Sequence, residues 1–256
     1  MTKRQRFVLT TAILSLGLLA IQVANISWRY QAIGVLAILT YLLSAWSLRE
    51  GIDGLEWLTV LILPPLYTAG VGLFYFLLPA RWLTRLPVAG AYGLGMYALL
   101  LTENIFSVAS IRTIQLFRAA QAVGFLLTLV TGFFLYDTIF SFRLSFWANG
   151  LFVFLVSLPL FLQGLWTVGL EKRVDRKLAL YTVVLSLVLT EAAILISFWP
   201  VNVASGSLFL ISVMYIVLGL SQQHFARRLF PRTIQEYLGV GLAVLGIILL
   251  TTHWGG

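Results

Sequence analysis

The sequence predicts an all-α, polytopic transmembrane helical bundle, and three observations carry that prediction. Apolar side chains make up 60% of the 256 residues while charged ones make up only 10%, against about a quarter charged in soluble domains. About nine apolar runs between Phe7 and Trp254 are each long enough to cross hydrocarbon. The charged residues, 17 basic and 9 acidic, fall almost entirely between those runs. Mean hydropathy is +0.97.

The expected spans are roughly 7–24, 31–47, 57–79, 86–102, 119–140, 147–170, 178–199, 205–220 and 238–254. In hydrocarbon every backbone N–H and C=O must pair within its own segment, so the runs are expected to be helices. Barrel strands would show short alternation, and these runs are continuous. The connections are too short to fold alone, so residues 1–256 read as a single integral membrane domain. Lys3, Arg4 and Arg6 ahead of the first run resemble the start of a signal peptide. No small-x-small cleavage site follows and eight further runs do, so an uncleaved first helix is expected.

Basic residues assign the orientation. With a cytoplasmic N-terminus and nine spans, 13 Lys and Arg lie inside and 4 outside. The least decided part is 47–56, where Arg49 stands against Glu50, Asp53 and Glu56; a re-entrant third run would leave eight spans. Tryptophans support the boundaries, because Trp28, Trp46, Trp57, Trp82, Trp147, Trp199 and Trp254 fall near proposed span ends, where amphipathic rings collect at headgroup level.

Two cytoplasmic connections stand out. In 103–118, Ile105, Val108, Ile111, Ile114 and Phe117 recur every third residue, which predicts a helix lying in the interface. In 221–237, Arg227, Arg228 and Arg232 flank Phe225, Leu229 and Phe230, read as buried, and Pro231 is expected to start or break a helix. Both contain Arg-Thr-Ile-Gln, at 112–115 and 232–235. That offset of 120 would map the second to fourth spans onto the sixth to eighth. The flanking residues do not match well, and coincidence in a biased composition is the simpler account.

Four features break the apolar pattern. Glu191 lies about 13 residues into the seventh span, roughly 20 Å from its inner end. A carboxylate there costs about 2.5–3.5 kcal/mol on insertion scales. It is therefore expected to face the bundle interior, either as a proton or cation site or as a protonated clamp between helices. Asp137, near the outer end of the fifth span, reads as a surface ion pair with Arg143, worth under about 1 kcal/mol; the sharper alternative is a polar site shared with Glu191. Pro64 and Pro65 interrupt the third span. They read as a kink in a packed helix, or else as the broken helix that exposes backbone in transporters. Arg112, Arg227, Arg228 and Arg232 read as topology-setting charge, with contact to an anionic lipid phosphate as the alternative.

Enzyme templates are absent: there is no H-E-x-x-H, G-x-S-x-G or G-x-x-x-x-G-K-[ST]. With no cysteine there is no disulfide or thiolate site. His224 and His253 fall on opposite faces in this topology, which argues against a shared metal. No cofactor is expected. The net charge of +8 reads as cytoplasmic-face charge, not nucleic-acid binding.

The stretch LLTENIFSVASIRTIQLFRAAQAVGFLLTLVTGFFLYDTIFSFRLSFW, with LGLSQQHFARRLF and RTIQEYLGVGL near the end, resembles uncharacterised bacterial integral membrane proteins grouped as a domain of unknown function. The resemblance covers most of the chain from about residue 95. It implies a bacterial inner-membrane location and brings no activity, cofactor or site residue. Three functions are consistent with these residues. The first is a structural or accessory membrane component that sits in the bilayer with other membrane subunits. The second is a small-solute or proton-coupled transporter centred on Glu191. The third is a lipid-handling enzyme using the inner-face arginines.

Overall fold

The structure is a computed structural model that describes residues 2–23, 28–50, 56–79, 82–109, 115–170 and 174–251. Among the described residues every regular element is a helix: α1 (Lys3–Val23), α2 (Arg29–Leu48), α3 (Glu56–Thr59), α4 (Leu63–Tyr75), α5 (Trp82–Ala109), α6 (Phe117–Ser141), α7 (Phe146–Gly169), α8 (Arg176–Ser197), α9 (Val203–Phe225) and α10 (Pro231–Thr251). Eight segments are long and apolar enough to cross a membrane, with α3 and α4 together supplying one of them, Trp57–Tyr75. α5 has the length, 28 residues, but Arg85, Glu103 and Asn104 interrupt its apolar run, and it is not among the eight.

Side chains are sorted as a lipid solvent requires. Large apolar groups such as Leu83, Leu94, Leu195 and Leu250 point outward, whereas Thr10, Thr40, Ser44, Thr68 and Ser186 are buried. Many of the inward hydroxyls donate to the carbonyl four residues back in their own helix, including Thr128 to Gly124, Thr131 to Leu127 and Ser186 to Thr182. Such bonds satisfy the hydroxyl without water.

The chain divides into two compact units, Met1–Phe134 and Leu135–Gly256, with the boundary inside α6. In the first, α1 packs on α2 and α5, α2 on α4, and α4 on α5. In the second, α7 packs on α8 and α9, α8 on α9, and α9 on α10.

Pro64 and Pro65 do more than kink the third run. α3 ends at Thr59 and α4 starts at Leu63, so the run is broken. Proline nitrogens cannot donate to the carbonyls of Val60 and Leu61, but in the first turn of a new helix those donors are not needed. The break is tolerated because it lies inside packed protein: Thr59, Val60 and Leu61 are fully buried. α4 is held by a line of hydroxyls. Thr40 on α2 lies 3.0 Å from Thr68 on α4, and Thr68 lies 2.8 Å from the hydroxyl of Tyr92 on α5. Tyr67 stacks on Tyr92 with centroids 5.6 Å apart, in a space that exists because position 95 is glycine; a Cβ there would overlap the Tyr67 hydroxyl.

One boundary and one burial expectation also differ. Residues 103–109 continue α5 and do not start a separate helix, so Glu103 is a buried residue within α5; Ile111, Arg112 and Ile114 lie outside the described residues. Pro231 opens α10, as its chemistry predicts. Leu229 and Phe230 ahead of it are exposed and not buried.

Candidate functional site

Glu191 sits on α8, and α8 is packed by α7 and α9 along one side. Buried Leu185, Leu189, Ala192 and Ile196 form that side. The opposite side carries Leu180, Val184, Leu187, Leu195 and Phe198, all exposed, and Glu191 is exposed among them. The expectation that Glu191 faces the bundle interior is therefore corrected. α8 is apolar on both sides, so packing partners and not the residue pattern decide which side turns inward. Glu191 makes no side-chain hydrogen bond or ion pair among the described residues.

The exposed row spaces its members at 180, 184, 187, 191, 195 and 198. Steps of three and four residues (4, 3, 4, 4, 3) keep the row on one side of a helix, the pattern by which one helix packs along another. Glu191 stands six residues before the helix end at Ser197, about 9 Å inside it. Helical side chains lean toward the N-terminus of their helix, which carries the carboxyl away from that end and deeper into the apolar zone.

Asp137 is placed differently. It is buried on α6 at 6% exposure, and its Oδ1 accepts a hydrogen bond of 3.2 Å from Ser207 Oγ of α9. No ion pair joins it to Arg143, which corrects the surface-pair expectation. Arg143 has a left-handed backbone, φ 50°, and lines a separate cavity of about 500 Å³ with Asn149, Ser197, Trp199 and Asn202. Neither Asp137 nor Glu191 lines that cavity, so the shared acidic site is not formed. Beside Asp137, the fully buried Tyr136 hydroxyl lies 2.8 Å from Ser157 Oγ.

Of the four arginines, Arg112 lies outside the described residues. Arg232 pairs with Glu236 one turn on, at 3.4 Å. Arg228 is exposed. Arg227 lines a cavity, about 330 Å³ in volume, at the end of unit 2 where α8 begins and α9 ends. Lys177 and His224 line it too; Lys177 was not singled out from sequence, and His224 was weighed only as a metal ligand. The available signal was topological: consecutive antiparallel helices return the end of α9 to the start of α8. Among the described residues no group of three metal-ligating side chains occurs; His253 lies outside them.

Helices that turn large apolar side chains outward recur along nearly the whole described chain. A family model described as a protein of unknown function (DUF5656) matches residues 8–251. The chain belongs to this family. No curated protein and no solved structure matches it. DUF5656 membership agrees with the uncharacterised family that the residues from about 95 onward resemble, and it assigns no activity.

Proposed function

We propose that this DUF5656 protein is an accessory component of a bacterial inner-membrane complex, without catalysis of its own, and that it docks through the outer seam of α8 onto a transmembrane helix carrying a lysine or arginine. The observation that carries this reading is the exposure of Glu191 in an otherwise apolar seam. Lipid tails offer a carboxylate neither a cation nor a donor, whereas a basic side chain at the same depth offers both. A second copy of the chain does not fit that role. In its candidate spans the basic residues lie within the first four positions of the helix, as with Arg176 and Lys177 in α8. A two-fold contact along α8 would thus set Glu191 against Glu191 at equal depth.

The test is the mass of the tagged full chain extracted gently from its own membranes. Wild type is expected above the monomer mass, and Glu191→Leu and Glu191→Lys are expected at it. A wild-type monomer, or variants that migrate with wild type, refutes docking. The alternative is proton-coupled transport of a small solute. Its support is the proline break, which belongs to unit 1, whereas both acids belong to unit 2. Proton flux through the purified chain in liposomes, abolished by Glu191→Gln, would replace the accessory reading.

A further inference from the structure

The cavity at the α8–α9 end of unit 2 has a lining of two kinds. Leu165, Leu178 and Phe225 are apolar, and Lys177, His224 and Arg227 are basic or can become so. None of these three pairs with an acid among the described residues. The Lys177 ammonium instead lies 4.9 Å from the ring centroid of Phe225 and 5.9 Å from that of Tyr181. Ring faces hold a cation without using up its N–H donors as a carboxylate would. The one acid in the lining, Asp175, is engaged locally, its Oδ1 accepting from the Arg176 backbone N–H at 2.7 Å to cap α8.

Arg227 occupies a position that normally belongs to glycine. Its φ is 55°, its N–H donates to the His224 carbonyl at 3.0 Å, and the N–H of Arg228 donates to the Gln223 carbonyl at 2.8 Å. Those two bonds are the Schellman closure of α9, with Arg227 at the left-handed residue. Holding a long cationic side chain there is strained, and retained strain of this kind marks functional positions.

We infer that this cavity binds a phosphate ester, with Lys177 at the start of α8 and Arg227 just beyond the end of α9 gripping its oxygens. Two cations with no acidic partner among the described residues suit an anion that has several acceptor oxygens. The ester comes either from an anionic phospholipid, whose glycerol and first methylenes would lie against Leu165, Leu178 and Phe225, or from a soluble phosphate ester. This site is independent of docking through α8.

The experiment uses the full chain in phosphatidylcholine nanodiscs, with phosphatidylglycerol in the bilayer or glycerol 3-phosphate in solution as probes. Native mass spectrometry reads the bound ligand. Lys177→Gln/Arg227→Gln is expected to weaken phosphatidylglycerol retention roughly thirty-fold, from the attraction each cation near the surface supplies. Arg228→Gln/Arg232→Gln removes equal charge outside the cavity and is expected to retain lipid as wild type does. Equal losses in the two double variants, or no phosphate probe held by wild type, overturns the site. Displacement of the lipid by glycerol 3-phosphate supports one shared phosphate site, and glycerol 3-phosphate held by wild type that retains no phosphatidylglycerol assigns the ester to the soluble source. Arg227→Gly, which relieves strain, keeps the test valid if the double variant misfolds: it should lose ligand while the folded state persists, and undiminished retention there also overturns the proposal.

Discussion

The hydroxyl line through α2, α4 and α5 makes a quantitative prediction. Thr40, Thr68 and Tyr92 are at most 1% exposed, so each proton must find an acceptor within the protein. Thr40 donates to the Leu36 carbonyl at 2.8 Å. Thr68 then donates either to Thr40 or to the Pro64 carbonyl, both at 3.0 Å. Tyr92 is left as the donor to Thr68. Thr68→Val keeps the shape but orphans the Tyr92 hydroxyl. Orphaned buried groups cost about 1–3 kcal/mol in general, while hydrogen bonds between membrane helices average about 0.6 and reach about 1.7 kcal/mol, so about 1.5 kcal/mol is expected. Tyr92→Phe removes the donor itself and leaves both threonines with carbonyl acceptors, so it should cost less. In that background Thr68→Val has no orphan to create, and the two changes should couple by about 1 kcal/mol in a double-mutant cycle. Equilibrium unfolding in mixed detergent micelles measures all four corners, with Thr68→Ser expected to stay near wild type. Additivity within about 0.3 kcal/mol would refute the proton assignment.

Three further outcomes are expected. In unit 1, Glu50 is exposed and hydrogen-bonded by the buried Arg6 guanidinium, with Lys3 at 4.0 Å. The Arg6 hydrogen bond, aided by the nearby charges, holds the Glu50 carboxyl below its ordinary range. Its stabilisation is thus present above the usual glutamate range and lost as pH falls through the lowered value; Glu50→Gln should flatten this acid limb of a thermal-stability profile, and an unchanged limb would assign it to another group. Arg227→Gly should raise stability by about 1 kcal/mol, because glycine adopts the left-handed C′ conformation without the cost an L side chain incurs; a lowered melting temperature would contradict this. Gly219 meets Tyr237 so closely that a Cβ would overlap the ring, so Gly219→Ala should loosen α10 from α9 at a cost of about 1–3 kcal/mol, visible as faster proteolysis of α10.

What the residues reveal alone, and what they do not, divides along physical lines. Long continuous apolar runs can only be helices in hydrocarbon, so element type and most boundaries were readable, including Pro231 at the start of α10. The extension of α5 past Glu103 was not, because a buried glutamate inside a helix depends on packing that no run length reports. At Pro64 and Pro65 the missing donors were evident. Whether the helix bends or restarts depends on how deeply Thr59 to Leu61 are buried, which is a tertiary property. For Asp137, sequence proximity favoured Arg143 six residues on, whereas the donor is Ser207, seventy residues away. Charge counting isolated Arg227 but could not separate it from Arg228 and Arg232, which differ from it in backbone conformation, in ion pairing and in what they face.

The contrast between the two acids bears on what the protein is for. Asp137 has a hydroxyl partner inside its own unit, Ser207 at 3.2 Å, which also reaches the Val203 carbonyl at 2.9 Å. Glu191 has an apolar seam around it and no partner among the described residues. If the chain functioned alone, replacing Glu191 with leucine would remove an insertion cost of about 2.5–3.5 kcal/mol at no loss. The seam spacing supplies the reason for keeping it, since a single polar residue in an apolar helix seam selects partner and register at the expense of stability. Glu191→Leu should accordingly make the isolated protein more stable and the assembled complex weaker. A purely structural acid would shift both in the same direction.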